Sequence, residues 1–173
     1  LALQDKVDEA IKSLDEAVKI DARDTGALAM RARLYYSQDR LALAAEDVRR
    51  WLQVSPDNPE AIILRSLILA AQDDLGSAIR DLESLLANNP ENREWQLQLA
   101  LYYNADQRPR AAIDLYSKLI EKQSDSWMAF RGRGDAYLAV GDHEKAVKDY
   151  EAAYKLMPEH SGLLNNFAWV LAT

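Results

Sequence analysis

The 173-residue sequence has no cysteine and contains only five prolines and six glycines. Without cysteine there can be no disulfide, thiolate nucleophile or thiolate metal site, and the cellular compartment stays open. So few prolines and glycines do not fit an all-β protein with many tight turns. Hydrophobic residues make up 49% and charged residues 28%, which is typical of a folded chain and too apolar for disorder.

Basic residues are outnumbered by acidic ones, and the net charge is −7. A phosphate backbone attracts a basic face, so this balance argues against nucleic-acid binding and against a polybasic membrane contact. No apolar run approaches the roughly 18 residues of a membrane span. The first residues lack the basic-then-apolar layout of a signal peptide. We therefore expect no direct membrane insertion.

The chain repeats itself every 34 residues. Alanine recurs in this phase, and further columns agree with it: Ala10, Ala44, Ala78, Ala112 and Ala146; prolines at Pro56, Pro90 and Pro158; small residues at Ala32, Ser66, Ala100, Gly134 and Ala168; large residues at Tyr35, Leu69, Tyr103, Tyr137 and Leu171. Such a fixed period indicates a repeat architecture of stacked supersecondary units.

The repeat divides the chain, without insertion or deletion, into four full blocks and two partial ones. The full blocks are 25–58, 59–92, 93–126 and 127–160; the partial ones are 1–24 and 161–173. Apolar spacing within each block predicts two amphipathic helices. First helices are expected near 26–38, 59–71, 93–105, 127–140 and 161–172, and second helices near 5–20, 41–54, 75–88, 108–122 and 143–156. Asn58, Ser126 and Asp142 are expected to cap helix starts.

The block 127–160 resembles the tetratricopeptide repeat. The matching residues are Phe130, Gly134, Tyr137, Gly141, Asp142, Ala146, Tyr150, Ala153 and Pro158. The resemblance extends over essentially the whole chain. It implies an all-α fold, a right-handed superhelical solenoid of stacked antiparallel helix hairpins, and no catalysis or cofactor. It also implies a protein–protein interaction scaffold that holds a peptide or a partner domain in a concave groove.

One column departs from the family pattern, in which leucine is the commonest residue. It holds Arg31, Arg65, Leu99 and Arg133, and the residues sixteen positions later are Asp47, Asp81, Leu115 and Asp149. Arginine is always matched by aspartate and leucine by leucine. We therefore predict an Arg–Asp ion pair between the two helices of three blocks and an apolar contact in the third block, unless the match is a coincidence of four blocks.

No residues of the sequence suggest catalysis or metal binding. Its two histidines, His143 and His160, have no second ligand at a useful spacing, and both fall in columns that face solvent in the family. Asp73 and Asp74 lie in a turn where a helix cap is expected. Asp47 belongs to the ion-pair column, and no phosphate loop or His-Glu-x-x-His helix is present.

By resemblance, a partner would contact the outward residues of the first helices. These are Met30, Arg33, Tyr36, Ile63, Leu64 and Leu67 in the first two blocks, Leu97, Gln98, Leu101 and Asn104 in the third, Arg131, Asp135 and Leu138 in the fourth, and Asn165, Asn166 and Trp169 in the last helix. The middle of this set is apolar and its ends are polar. It fits an apolar helix or extended peptide, but the leucines could equally pack against neighbouring first helices.

Some family members clamp the carboxylate of a chaperone C-terminus with lysine, arginine and asparagine. Arg131 and Asn166 occupy two such positions here, but Asp135 stands where asparagine is expected, and Ala29 and Ile63 are apolar. These departures argue against a carboxylate clamp.

The last helix carries apolar residues with no following hairpin to cover them. Solenoids normally end in a polar capping helix. We therefore expect a segment of a longer array or self-association through this helix. Structural self-assembly within a longer repeat protein is accordingly the alternative function.

Overall fold

The computed structural model describes the backbone of residues 2–172 and the side chains of residues 6–168 and 170. Over that range the chain forms ten α-helices and no strand: α1 (Ala2–Ile20), α2 (Thr25–Ser37), α3 (Leu41–Val54), α4 (Pro59–Ala71), α5 (Leu75–Asn88), α6 (Arg93–Ala105), α7 (Pro109–Lys122), α8 (Trp127–Ala139), α9 (His143–Leu156) and α10 (Ser161–Ala172). The predicted helices are confirmed, and their ends agree to within three residues.

Two compact units divide the chain within α5, the first ending at Asp81 and the second beginning at Leu82. In the first unit, helices α1, α2 and α3 each pack on the next helix along the chain, and α2 also contacts α4. In the second unit, helices α6 to α10 follow the same order, and α6 also contacts α8. This is the packing expected of stacked helix hairpins.

The helix caps predicted from the sequence are present. The side chains of Asn58, Ser126 and Asp142 each accept a hydrogen bond from the backbone N–H three residues later, at 3.0, 3.3 and 3.2 Å. Asp74 does the same at the start of α5, at 3.0 Å. Each side chain satisfies a first-turn N–H group that has no partner within its own helix.

The turn inside each full hairpin contains one residue in the left-handed region. These residues are Asp39, Asp73, Gln107 and Gly141, with φ of 59°, 66°, 56° and 79°. The N–H of the residue that follows donates to a carbonyl five positions earlier, as in the 2.9 Å bond from Asp142 to Tyr137. This arrangement ends a helix by the Schellman motif. Three of the four turns form it without the glycine that usually marks it.

Small residues lie where the two helices of a hairpin meet, as the repeat columns predict. Ala32 and Ala44 in the first unit, and Ala100 and Ala112 in the second, are fully buried. At Gly134 a Cβ would lie 3.5 Å from the carbonyl oxygen of Ala146. Short side chains therefore allow the backbones to approach closely.

The three predicted Arg–Asp ion pairs are present and bidentate. In each pair the arginine Nε and Nη2 atoms donate to the two carboxylate oxygens, at distances of 2.6 to 2.8 Å: Arg31 to Asp47, Arg65 to Asp81, and Arg133 to Asp149. These hydrogen bonds raise the pKa of each arginine. The pairs join the two helices of a hairpin at one fixed register.

Two of these arginines bind a third residue, on the preceding second helix. Arg31 Nη1 donates to Asp15 Oδ1 at 2.7 Å, and Arg133 Nη1 donates to Ser117 Oγ at 3.1 Å. Both partners lie sixteen residues before the arginine, a relation that the repeat columns did not predict. Each of the two guanidinium groups therefore ties three consecutive helices together.

Candidate partner-binding faces

Face 1 comprises the predicted groove residues of the first unit, on α2 and α4. Met30 is the most accessible of them, with 58% of its surface exposed. Arg33 donates to Glu60 Oε2 at 2.6 Å, and both side chains are more than half exposed. Ile63 and Leu67 are half-buried. Face 1 therefore offers one well-exposed apolar side chain, two half-buried ones and one exposed ion pair.

Leu64 departs from its prediction as a groove residue. It is only 6% exposed and belongs to the hydrophobic core of the first unit. One residue turns an α-helix by about 100°, so Leu64 points inward while Ile63 and Leu67, four residues apart, share the outer side of the helix. The predicted stripe was one residue too wide.

Face 2 comprises the predicted groove residues of the second unit together with the other residues of two adjoining pockets on α6, α8, α9 and α10. The apolar pocket is lined by Leu101, Trp127, Met128, Arg131, Gly132 and Asp135. Leu101 is 43% exposed and Met128 45%. Large apolar side chains that remain exposed beside a pocket are typical of a binding site. Trp127 and Met128 were not among the predicted groove residues, because they start a helix and lie outside the apolar stripe.

The polar pocket adjoins the apolar one at Asp135 and is also lined by Leu138, Tyr150, Asn165 and Asn166. The hydroxyl of Tyr150 donates a hydrogen bond to Asp135 Oδ1. Partial burial raises the pKa of the Asp135 carboxyl, against the lowering effect of that hydrogen bond. Burial and the nearby carboxylate raise the pKa of Tyr150. Tyr150 matches the family signature, and it is buried except where it lines the polar pocket.

Face 2 lies over a buried aromatic ring. Asn104 Nδ2 donates to the carbonyl oxygen of Gly132 at 2.8 Å. A Cβ at Gly132 would lie 2.4 Å from the ring of Tyr116, so any larger residue at this position would have to displace that ring. Among the described side chains, the Tyr116 hydroxyl and Asn104 Oδ1 are buried polar atoms without a hydrogen-bond partner. Asn104 is therefore half-buried beneath face 2, and part of its side chain does not point outward as predicted.

The remaining predicted residues of the second unit vary in accessibility. Leu97 and Gln98 are half-buried on α6, and Leu97 also lines a neighbouring cleft that shares Trp127 and Met128 with the apolar pocket. Asn165 is exposed and Asn166 half-buried on α10. The side chain of Trp169 lies outside the described residues.

The histidines have positions that suit structural roles. His143 is exposed at the start of α9. His160 Nδ1 accepts a hydrogen bond from the N–H of Leu163 at 3.3 Å, and its ring lies 4.9 Å from that of Trp127. Within the part of the chain that the structure describes, no three histidine or acidic side chains come together as a metal site would require. None of the described helices is long and apolar enough to cross a membrane.

A sequence profile of the tetratricopeptide repeat matches residues 2–59, 63–126 and 97–161. Among solved structures, MamA is similar, with 22% identity over 91% of this chain and 92% of its own and a TM-score of 0.80. YrrB, described as a TPR protein with an unusual peptide-binding site, is 18% identical over 95% and 85%, with a TM-score of 0.79. A thermophilic TPR protein of Thermus thermophilus is 20% identical over 100% and 94%, with a TM-score of 0.72. These likenesses show an all-α solenoid fold. No curated protein sequence matches the chain.

Proposed function

Because the chain belongs to the tetratricopeptide repeat family, whose fold is a scaffold for protein–protein interaction, we propose that face 2 binds a peptide segment of a partner protein. The supporting observation is the apolar pocket, where Leu101 and Met128 stay more than two-fifths exposed beside Trp127. A ligand side chain that enters this pocket would bury apolar surface, and each Å² buried contributes about 25 cal/mol to the binding free energy. Proteins of this family are generally scaffolds without catalytic activity, and we propose the same for this chain.

The test is a selection of binders from a displayed library of random peptides, followed by affinity measurement with labelled peptides. Leu101→Ser should weaken the selected peptides by about tenfold, because it removes an apolar contact and leaves the charge unchanged. Leu156→Ser is the matched control, since Leu156 is 39% exposed in the same unit but lies outside face 2. Equal affinities for the wild type and Leu101→Ser would refute the proposal.

Self-association through α10 is the second candidate function. Leu164 is 45% exposed on this helix, and Phe167 is half-buried next to it along the same helix. Sedimentation equilibrium should then show dimers that Leu164→Ser dissociates. A strict monomer at high concentration would eliminate this candidate. From the net charge of −7 we further expect no binding of nucleic acid, which a gel-shift assay at low salt would check.

A further inference from the structure

We propose that the segment bound by face 2 carries a lysine or arginine close to its apolar anchor, and that Asp135 receives this cation. The proposal rests on the proposed function, since it names the chemistry of the same ligand. Its basis is the place of Asp135 between the two pockets: this carboxylate lines both the apolar and the polar pocket. A peptide whose apolar side chain occupies the apolar pocket and whose backbone continues into the polar pocket would pass beside this carboxylate.

The hydrogen bonding of Asp135 is incomplete. An ionised carboxylate has about four acceptor positions on its two oxygens. Among the described residues, Tyr150 is the one side chain that donates a hydrogen bond to it. Arg131 Nε lies 3.8 Å from Asp135 Oδ2, which is beyond hydrogen-bond distance. The side chain of Asp135 is still 39% exposed, so a donor from outside can reach it.

The contrast with Asp149 on the next helix sharpens this inference. Asp149 is 7% exposed and receives two short hydrogen bonds from Arg133. Asp135 receives no such bidentate pairing, although partial burial already raises the pKa of its carboxyl. An ammonium or guanidinium group would supply both the charge and the missing donors.

The surroundings of Asp135 favour a cation over an anion. Net charge over the whole chain is −7, so the long-range field attracts basic ligands. Arg131 lies on the same face and would attract an acidic residue instead, and a glutamate-bearing peptide tests that alternative.

The experiment measures the affinity of three labelled peptides for the whole chain. The peptides share one leucine in an alanine and serine background and differ at one neighbouring position, which is lysine, alanine or glutamate. We expect the lysine peptide to bind about fivefold more tightly than the alanine peptide at low salt, and the difference to shrink at high salt. Asp135→Asn should abolish this preference. Asp114→Asn, which removes the same charge from an exposed position on α7, should leave it intact.

A second readout does not depend on affinity. The lysine peptide should lower the pKa of Asp135, followed by NMR of the side-chain carboxyl carbon, and the alanine peptide should not. The groups that surround this carboxyl are Arg131 on α8, Tyr150 on α9 and Tyr116 on α7. Burial raises the pKa of both tyrosines, so neither changes charge in the range where Asp135 titrates, and the shift would report the ligand cation.

The outcomes separate the two proposals. Peptides that need Leu101 but bind equally with lysine, alanine or glutamate would overturn the role of Asp135 and leave the binding function standing. A preference for glutamate that Arg131→Gln removes would also overturn it. Failure of all peptides, or binding that Leu101→Ser does not weaken, would overturn both.

Discussion

The Arg133–Asp149 ion pair should stabilise the second unit cooperatively, and a double-mutant cycle measures this. Arg133→Leu leaves the buried carboxylate of Asp149 without its partner, which should cost about 3–5 kcal/mol. Asp149→Leu should cost less, about 2 kcal/mol, because Arg133 keeps Ser117 and has a long stem that can reach solvent. The double change to leucine should cost no more than about 1 kcal/mol, since apolar replacements of buried pairs are often neutral.

The third block already contains this replacement. Leu99 and Leu115 occupy the same two positions there, with Leu99 buried and Leu115 half-buried. The chain therefore tolerates the apolar pair in its own fold. From these numbers the coupling energy between Arg133 and Asp149 should be about 4–6 kcal/mol.

The coupling should follow burial from pair to pair. The side chains of Arg133 and Asp149 are 18% and 7% exposed, whereas those of Arg65 and Asp81 are 44% and 12% exposed. Solvent screens the more exposed pair, so its coupling should fall to roughly 1 kcal/mol.

The assay is urea unfolding followed by far-UV circular dichroism, combined with hydrogen exchange of the α8 and α9 amides. Repeat arrays can unfold in parts, and hydrogen exchange assigns the loss to the correct hairpin. Single-mutant effects that add to the double-mutant effect within about 0.5 kcal/mol would refute the cooperative pair.

Three further predictions concern the turns and face 2. Gln107→Gly should stabilise the chain by about 1 kcal/mol and Gly141→Ala should destabilise it by a similar amount, because both positions have positive φ; thermal unfolding that shifts oppositely would contradict this. Gly132→Ala should lower the free energy of unfolding in urea by about 2 kcal/mol, because the new methyl group overlaps the Tyr116 ring. Tyr116→Phe removes an unpartnered hydroxyl and should be neutral or stabilising. A large loss of stability in Tyr116→Phe would show that the hydroxyl has a partner. The pKa of the Asp135 carboxyl is raised in the folded state, so its favourable contribution to stability is complete below about pH 4 and is lost as pH rises through the folded pKa. The free energy of unfolding of Asp135→Asn should therefore increase, relative to that of the wild type, from acid to neutral pH. A difference between the two proteins that does not depend on pH would refute the argument.

The helices and ion pairs could be predicted because the repeat samples each position several times. A single arginine such as Arg65 does not indicate its partner. The third block has leucine at both the arginine and the aspartate position, and this joint change predicts that the two positions are in contact. The additional hydrogen-bond partners of the arginines, Asp15 and Ser117, were not predicted because they differ in residue type and so form no repeat column. The left-handed residue at Gln107 was not predicted either, because only one of the four turns has glycine at this position.

Face 2 was predicted less completely than the helices. Periodicity gives the side of a helix to within about one residue, which is why Leu64 was assigned outward although it lies in the core. Trp127 and Met128 contribute to the pocket because they start α8 beside Leu101 of α6, and spacing along one helix contains no information about a neighbouring helix.

The α8–α9 hairpin holds two aspartates whose different pairing separates stability from binding. Asp149 is held by two hydrogen bonds from Arg133, and an external ligand could add little to it. Asp135 has one tyrosine donor and an ion pair with Arg131 at 3.8 Å, too long for a hydrogen bond, and it lies where two pockets meet. Replacing each by asparagine should thus have opposite consequences: the change at Asp149 lowers stability, while the change at Asp135 spares stability at neutral pH and removes the preference for a basic peptide. If both changes lowered stability alike and left peptide preference intact, both carboxylates would be structural.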